Sequence, residues 1–205
     1  MSSRVALAIF ATTCALFALI GVVAISRIDA EPDAPATVHG TKSPFRGGSL
    51  PAGVRAPQFT LTDQYGKRVS MAEYRGKPVV VTYLYTHCKE TCPVQAQMIR
   101  GALDDLGHDI PALAVSVDPF RDTRASARAF LRTAKMTGRM RWVLGTRREL
   151  QPVYRGFAIQ PQLRDSEHQA YITLVDRRGM QRVAVSVDQT SPEDLAHDIR
   201  VLERP

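Results

Sequence analysis

Residues 77–107 read KPVVVTYLYTHCKETCPVQAQMIRGALDDLG, and the fold is decided by where the pattern inside this stretch changes period. From Lys77 to Tyr85 the apolar residues run almost without interruption, as in a strand covered on both faces. From Cys92 onward Val94, Met98 and Leu103 or Ala102 recur at helical spacing, and Pro93 suits a first helical turn. The spacing predicts a helix over 92–107. Two of the chain's three cysteines, Cys88 and Cys92, lie at the junction between strand and helix. They form a C-x-x-x-C, one residue wider than the usual dithiol redox motif.

Short β-branched runs alternate with helical patterns on either side. Strands are predicted at 57–63, 111–118, 141–145, 170–176 and 180–187, and helices at 123–137, 147–157 and 191–204. Ser191, followed by Pro192 and by Asp194 three positions on, is a helix-start signal. A βαβα portion followed by a β-hairpin and a closing helix is the thioredoxin-like order, an α/β domain whose mixed sheet is flanked by helices. In such sheets active residues gather where strands end and helices begin, which is where Cys88 and Cys92 fall.

The composition changes upstream. Val5–Ile25 has no charge over 21 residues. As a helix it would span about 30 Å, the thickness of a bilayer's hydrocarbon core. A cleaved secretory signal has a shorter apolar stretch, and Arg27-Ile28-Asp29-Ala30 is a poor cleavage site. Residues 1–27 are therefore expected to be an uncleaved transmembrane anchor, 28–56 a Pro-, Gly- and Ala-rich linker, and 57–205 a single domain. With so short a tail, Arg4 would stay cytoplasmic, giving a single-pass inner-membrane protein with its domain on the periplasmic side; Arg27 works against that orientation. Cys14, inside the apolar run, reads as a small apolar residue.

A net charge of +7 raises nucleic acid as a partner. The basic residues are interleaved with acids and do not form a stripe with aromatics, and an exported domain has no ordinary access to nucleic acid, so that class is excluded. A basic surface facing anionic lipid or an acidic protein is compatible with the charge, with a solvated surface as the default.

If a helix begins near Cys88, then Cys88 and Cys92 stand at i and i+4 with both sulfurs on one face. Amides at a helix start favour thiolates, and two neighbouring thiolates repel until a cation relieves them. The pair is two-thirds of a three-coordinate soft-metal site. Of the five histidines, His39 lies in the linker and His108 and His197 read as surface residues. Joint ligation by His87 and its neighbour Cys88 is awkward. His168, in LRDSEHQAYITLVD, reads equally as a ligand or an ordinary loop histidine. Two thiolates and an imidazole suit Cu(I), Cu(II) would add a weak ligand, and zinc would want a fourth donor or water. An oxidising compartment permits a structural disulfide. A bridge across one turn, however, closes a tiny loop and gains little.

Four pieces, FTLTDQYGK, RGKPVVVTYLYTHCKETCP, SVDPFRDT and DSEHQAYITLVDRRG, resemble in that order the SCO/SenC family of copper-binding, thioredoxin-like proteins that assist cytochrome c oxidase assembly. The resemblance spans about residues 57–190 and implies copper held by Cys88, Cys92 and His168. It implies a metallochaperone whose partners are oxidase subunit II, with its binuclear copper centre, and a copper donor protein. The competing function is a thiol–disulfide oxidoreductase that uses Cys88 and Cys92 as attacking and resolving thiols, on that subunit or another exported protein. Asp118 and Asp122 match a recurrent family motif. Asp122 or Thr123 is expected to cap the next helix, with support of the ligands or partner docking as the alternative.

Overall fold

The computed structural model describes residues 43–161 and 170–204. The predicted anchor, 1–27, lies outside them. Among the described residues no helix is long and apolar enough to cross a membrane. Strands β1 (Thr60–Thr62) and β2 (Arg68–Ser70) form a small antiparallel ribbon. The main chain of the fold then runs β3 (Val79–Leu84), α1 (Thr91–Leu106), β4 (Ala112–Ser116), α2 (Arg124–Thr133), β5 (Arg141–Val143), α3 (Arg147–Gly156), β6 (Tyr171–Val175), β7 (Gln181–Ser186) and α4 (Pro192–Glu203). The five long-range strands order as β5-β4-β3-β6-β7. β3, β4 and β5 are parallel, and β6 and β7 are antiparallel to their neighbours.

β3 is central, and its alternation builds two cores. Val80 and Leu84 pack with Ile99, Leu103, Leu131, Leu195 and Ile199 of the helices on one face. Val79, Val81 and Tyr83 pack with Leu113, Leu150, Val153 and Tyr154 on the other. Every residue of β3 is buried, as an unbroken apolar run requires. Each fully buried Val, Leu or Ile contributes about 1.5–3 kcal/mol, so a polar residue in this strand needs a partner. Thr82 has one in Gln95, whose amide nitrogen stands 2.5 Å from the Thr82 hydroxyl.

The helix periods hold while one assigned face does not. α1 buries Cys92, Gln95, Ala96, Ile99, Ala102 and Leu103, whereas Val94, one of the residues that suggested the period, is exposed. Gly107 ends α1 at φ 75°, a conformation that favours glycine. Ser191 caps α4 by accepting from the Asp194 amide at 3.1 Å, and Thr123 caps α2 by accepting from the Ser126 amide at 3.0 Å.

Residues 43–56, expected to belong to a linker, are instead docked on the sheet edge. The Ala184 amide donates to Gly48 O and the Leu50 amide to Arg182 O, both at 2.9 Å. Ser49 opposes Val183 and Arg55 opposes Met180, antiparallel to β7. The buried Asp198 on α4 accepts from the Arg46 and Gly47 amides at 2.7 and 2.8 Å. The strap has no apolar period because backbone pairing holds it. Its glycines permit the approach: a Cβ on Gly48 would meet Ala184 O at 2.8 Å.

Candidate metal centre

The two cysteines meet by a route other than the expected one. α1 begins at Thr91 with Glu90 at the cap position, so Cys88 precedes the helix and the pair does not share one regular turn. Glu90 makes no side-chain cap bond. The Cys92 amide donates to Cys88 Sγ at 3.2 Å, and the sulfur thus does the work of a capping oxygen. The Thr91 hydroxyl lies 3.3 Å from the same sulfur. Both cysteines are free thiols.

Their environments push the two thiols apart. Cys88 is lowered to about 4, chiefly by the hydrogen bond from the Cys92 thiol, with help from Thr91 and the amides of Cys92 and Glu90 against the cost of burial. Cys92 is raised, first because its proton serves Cys88 and second because it is buried. Accessibility follows the same division, 9% for Cys88 and 0% for Cys92. One proton is therefore held between two sulfurs, with the charge on the more accessible one. Tyr85 stands beside them and is pushed up to about 12 by burial and by the Cys88 sulfur.

Asp122 sets the loop that carries Cys88. Its carboxylate accepts from the Thr86 amide and the Thr86 hydroxyl, both at 2.8 Å, and from the Ser116 hydroxyl at 2.5 Å. Thr123 is the helix cap, so Asp122 belongs to the cysteine loop and not to the start of α2. Burial raises its pKa, opposed by the bonds it accepts. Asp118 is buried and pairs with Arg121. Gln95, one turn beyond Cys92, donates to Tyr171 O at 2.5 Å and fixes α1 against the start of β6. The sequence signal for Asp122 was its place beside a helix start, which equally fits a cap; Gln95 had none beyond a polar residue on a helix.

Replacing Asp122 by Ala leaves the Thr86 amide and two hydroxyls without their acceptor. The expected cost is about 2–4 kcal/mol, or roughly 5–10 °C in melting temperature for a domain of this size. A thermal melt of D122A within a degree of the parent would show that the loop is held by other contacts.

Three of the histidines are accounted for elsewhere: His87 is exposed beside the Thr86 hydroxyl, His108 pairs with Glu203 at 2.7 Å, and His197 lies 3.1 Å from Pro44 O. Among the described residues no group of three His, Cys, Asp or Glu side chains is placed to hold a metal. His168 lies outside the described residues. Two sulfurs, one already ionised and one with a displaceable proton, fit a soft cation. Two apolar side chains stand exposed on these segments: Phe120, 79% exposed on the loop that carries Asp122, and Val94 in the first turns of α1.

A mixed sheet in this order, with a thiol pair where its central strand meets a helix, defines a thioredoxin-like protein. Within that class the chain belongs to the SCO1/SenC family, whose description matches residues 49–203. It is 29% identical to protein SenC of Rhodobacter capsulatus, over 82% of this chain and 74% of that protein. It is 27% identical to the mitochondrial protein SCO1 homolog of Homo sapiens, over 49% of this chain and only 35% of the human protein. Among solved structures it resembles Bradyrhizobium japonicum ScoI with copper bound, at 28% identity and a TM-score of 0.59, over 72% of this chain and 99% of that one.

Proposed function

We propose that this chain is a copper metallochaperone, anchored by residues 1–27 in the inner membrane with its domain on the periplasmic side. Cys88, Cys92 and His168 would hold the copper cargo, and the chain would assist assembly of the binuclear copper centre of cytochrome c oxidase subunit II. The observation that carries the reading is the free thiol pair at the start of α1, with the Cys92 amide 3.2 Å from Cys88 Sγ and an environment that lowers the Cys88 thiol and raises that of Cys92. Family membership supports it, as does likeness to a ScoI structure that contains copper. On binding, Cys88 offers its thiolate directly, Cys92 gives up its proton to solvent, and the hydrogen bond between the sulfurs is replaced by shared ligation. The exposed Phe120 and Val94 offer apolar contacts to a protein partner.

A second reading is favoured by the same asymmetry: reduction of a partner's disulfide. Cys88 thiolate would attack one sulfur of the disulfide, forming a mixed disulfide and releasing the other sulfur as a thiolate. Cys92, losing its proton, would then attack Cys88 Sγ and close a Cys88–Cys92 bond, releasing the second thiol. Two electrons pass to the partner.

Anaerobic titration of the reduced full chain with Cu(I), run beside a disulfide-reduction assay, tests both. One equivalent is expected to bind, and His168→Ala is expected to weaken it by about ten- to a hundredfold. Unchanged affinity and spectrum in H168A would remove the third ligand. Turnover of a disulfide substrate independent of copper would promote the reductase.

A further inference from the structure

The sheet has two ends, and the thiols occupy only one. β3 runs from Val79 to Leu84 toward Cys88, while Val79 pairs with Val175 just before the β6–β7 turn. That turn therefore lies at the far end, about 20 Å away at the usual rise per strand residue. The Gly76 amide donates to Arg177 O at 2.9 Å, and Arg177 Nε donates back to Gly76 O at 3.1 Å, which brings the Arg75–Lys77 segment against the turn. Arg55 opposes Met180 across the docked strap. Arg177, Arg178 and Arg204 line one cleft of about 550 Å³, together with Arg182.

Arg55, Arg75, Lys77, Arg177, Arg178 and Arg204 are all exposed there, and among the described residues none of them forms an ion pair. The acid at this place, Asp176, is already occupied by Arg182 and by the amides of Arg178 and Met180. Elsewhere several arginines are matched, Arg46 by Asp194, Arg121 by Asp118, Arg139 by Asp104 and Asp109, Arg141 by Asp63 and Glu73, and Arg200 by Asp105, while Arg147, Arg148 and Arg155 of α3 form a smaller basic group. Six cations on one end, none of them paired with an acid among the described residues, are an anion-binding surface.

The chain itself indicates which anion. Pro44 and Phe45 line the same cleft as Arg177, Arg178 and Arg204, so the backbone reaches the domain at this end. The uncharged run Val5–Ile25 lies only seventeen residues before Ser43 in sequence.

We propose that this basic end rests on an anionic lipid surface, which would turn the thiol end away from the membrane and toward a partner. The proposal relies on the anchor of the preceding section but not on the copper ligands. Contact of this kind depends on lipid charge and weakens once salt shortens the screening length below its normal ~8 Å.

The test is amide hydrogen exchange of the full chain with phospholipid nanodiscs, either pure phosphatidylcholine or with ~30% phosphatidylglycerol. Exchange across 75–78 and 176–180 is expected to slow several-fold in the anionic discs only. The slowing should vanish in 0.5 M NaCl and in R177E/R178E, while the Cu(I) affinity of that variant stays unchanged. R75Q/K77Q, which alters a different segment without reversing charge, should lose part of the protection, and it decides the matter where R177E/R178E does not fold. Equal exchange in neutral and anionic discs overturns the proposal, and so does protection that requires an added acidic protein in place of lipid. A failed anchor shows separately, as a chain that does not enter neutral discs, and the comparison is then made with vesicles of the same two compositions.

Discussion

Replacing Cys92 by Ala is expected to lower the Cu(I) affinity of the reduced chain by at least about a hundredfold. The yardstick is the soft four-ligand metal site, where binding of about 10–16 kcal/mol corresponds to about 3 kcal/mol per ligand, or two decades in affinity. C92A loses more than one donor. Its thiol is the largest stabiliser of the Cys88 thiolate, so without it Cys88 rises toward the ordinary range and must itself be deprotonated by the metal. The parent chain differs in a way that can be counted. With Cys88 ionised above about 4 and Cys92 protonated, binding near pH 7 should release about one proton, and affinity should climb about tenfold per pH unit between pH 7 and 8, more steeply below about 6.5 where an ordinary histidine ligand must also lose its proton. Anaerobic competition titrations across that range measure both quantities. Two protons released, or a C92A chain within about threefold of the parent, would contradict the coupled pair as the binding unit.

That pair was legible from the sequence as two thiols at a strand–helix junction, while the means of holding them was not. The unbroken run in β3 could belong only to a covered strand, and every one of its residues is buried. The helix expected over 92–107 begins at Thr91, but a start near Cys88, suggested by the helical spacing of C-x-x-x-C, does not hold: the sulfur of Cys88 caps the helix from outside. Asp122 stands out in the sequence, but its favoured reading there is a helix cap, with support of the ligands only the alternative. A carboxylate before a helix is locally a cap, and only the fold shows that it reaches back 36 residues to Thr86. The strap over 43–56 was missed because period-based reading detects buried side chains, whereas this segment is held by amides, by Asp198 and by glycines that allow close approach. Pattern reading finds elements that bury a face. It passes over those that dock by backbone.

At pH 7 iodoacetamide is expected to modify Cys88 at least about a hundredfold faster than Cys92. The thiolate is the nucleophile, and Cys88, lowered to about 4, is almost wholly ionised, while Cys92 is raised and inaccessible. The Cys88 rate should stay flat from about pH 5.5 to 8, where an ordinary thiol would speed up about tenfold per unit. Mass-spectrometric mapping of the first modified site decides it, and comparable rates at the two sites would contradict the asymmetry. The same shifts act on folding. Cys88 is depressed, so its contribution is complete above the unfolded thiol value of about 8.5 and is lost as pH falls toward about 4. Cys92 is raised, so its contribution is present below about 8.5 and is lost as pH rises beyond it. Their sum gives a stability that climbs from acid pH, peaks near 8.5 and then declines. Denaturant melts of the reduced chain should follow that curve, and a C88S/C92S chain should flatten it. A thiolate held at a cost to the acid limb of stability is what a soft-metal or disulfide partner can use at neutral pH, since the nucleophile is formed before the partner arrives.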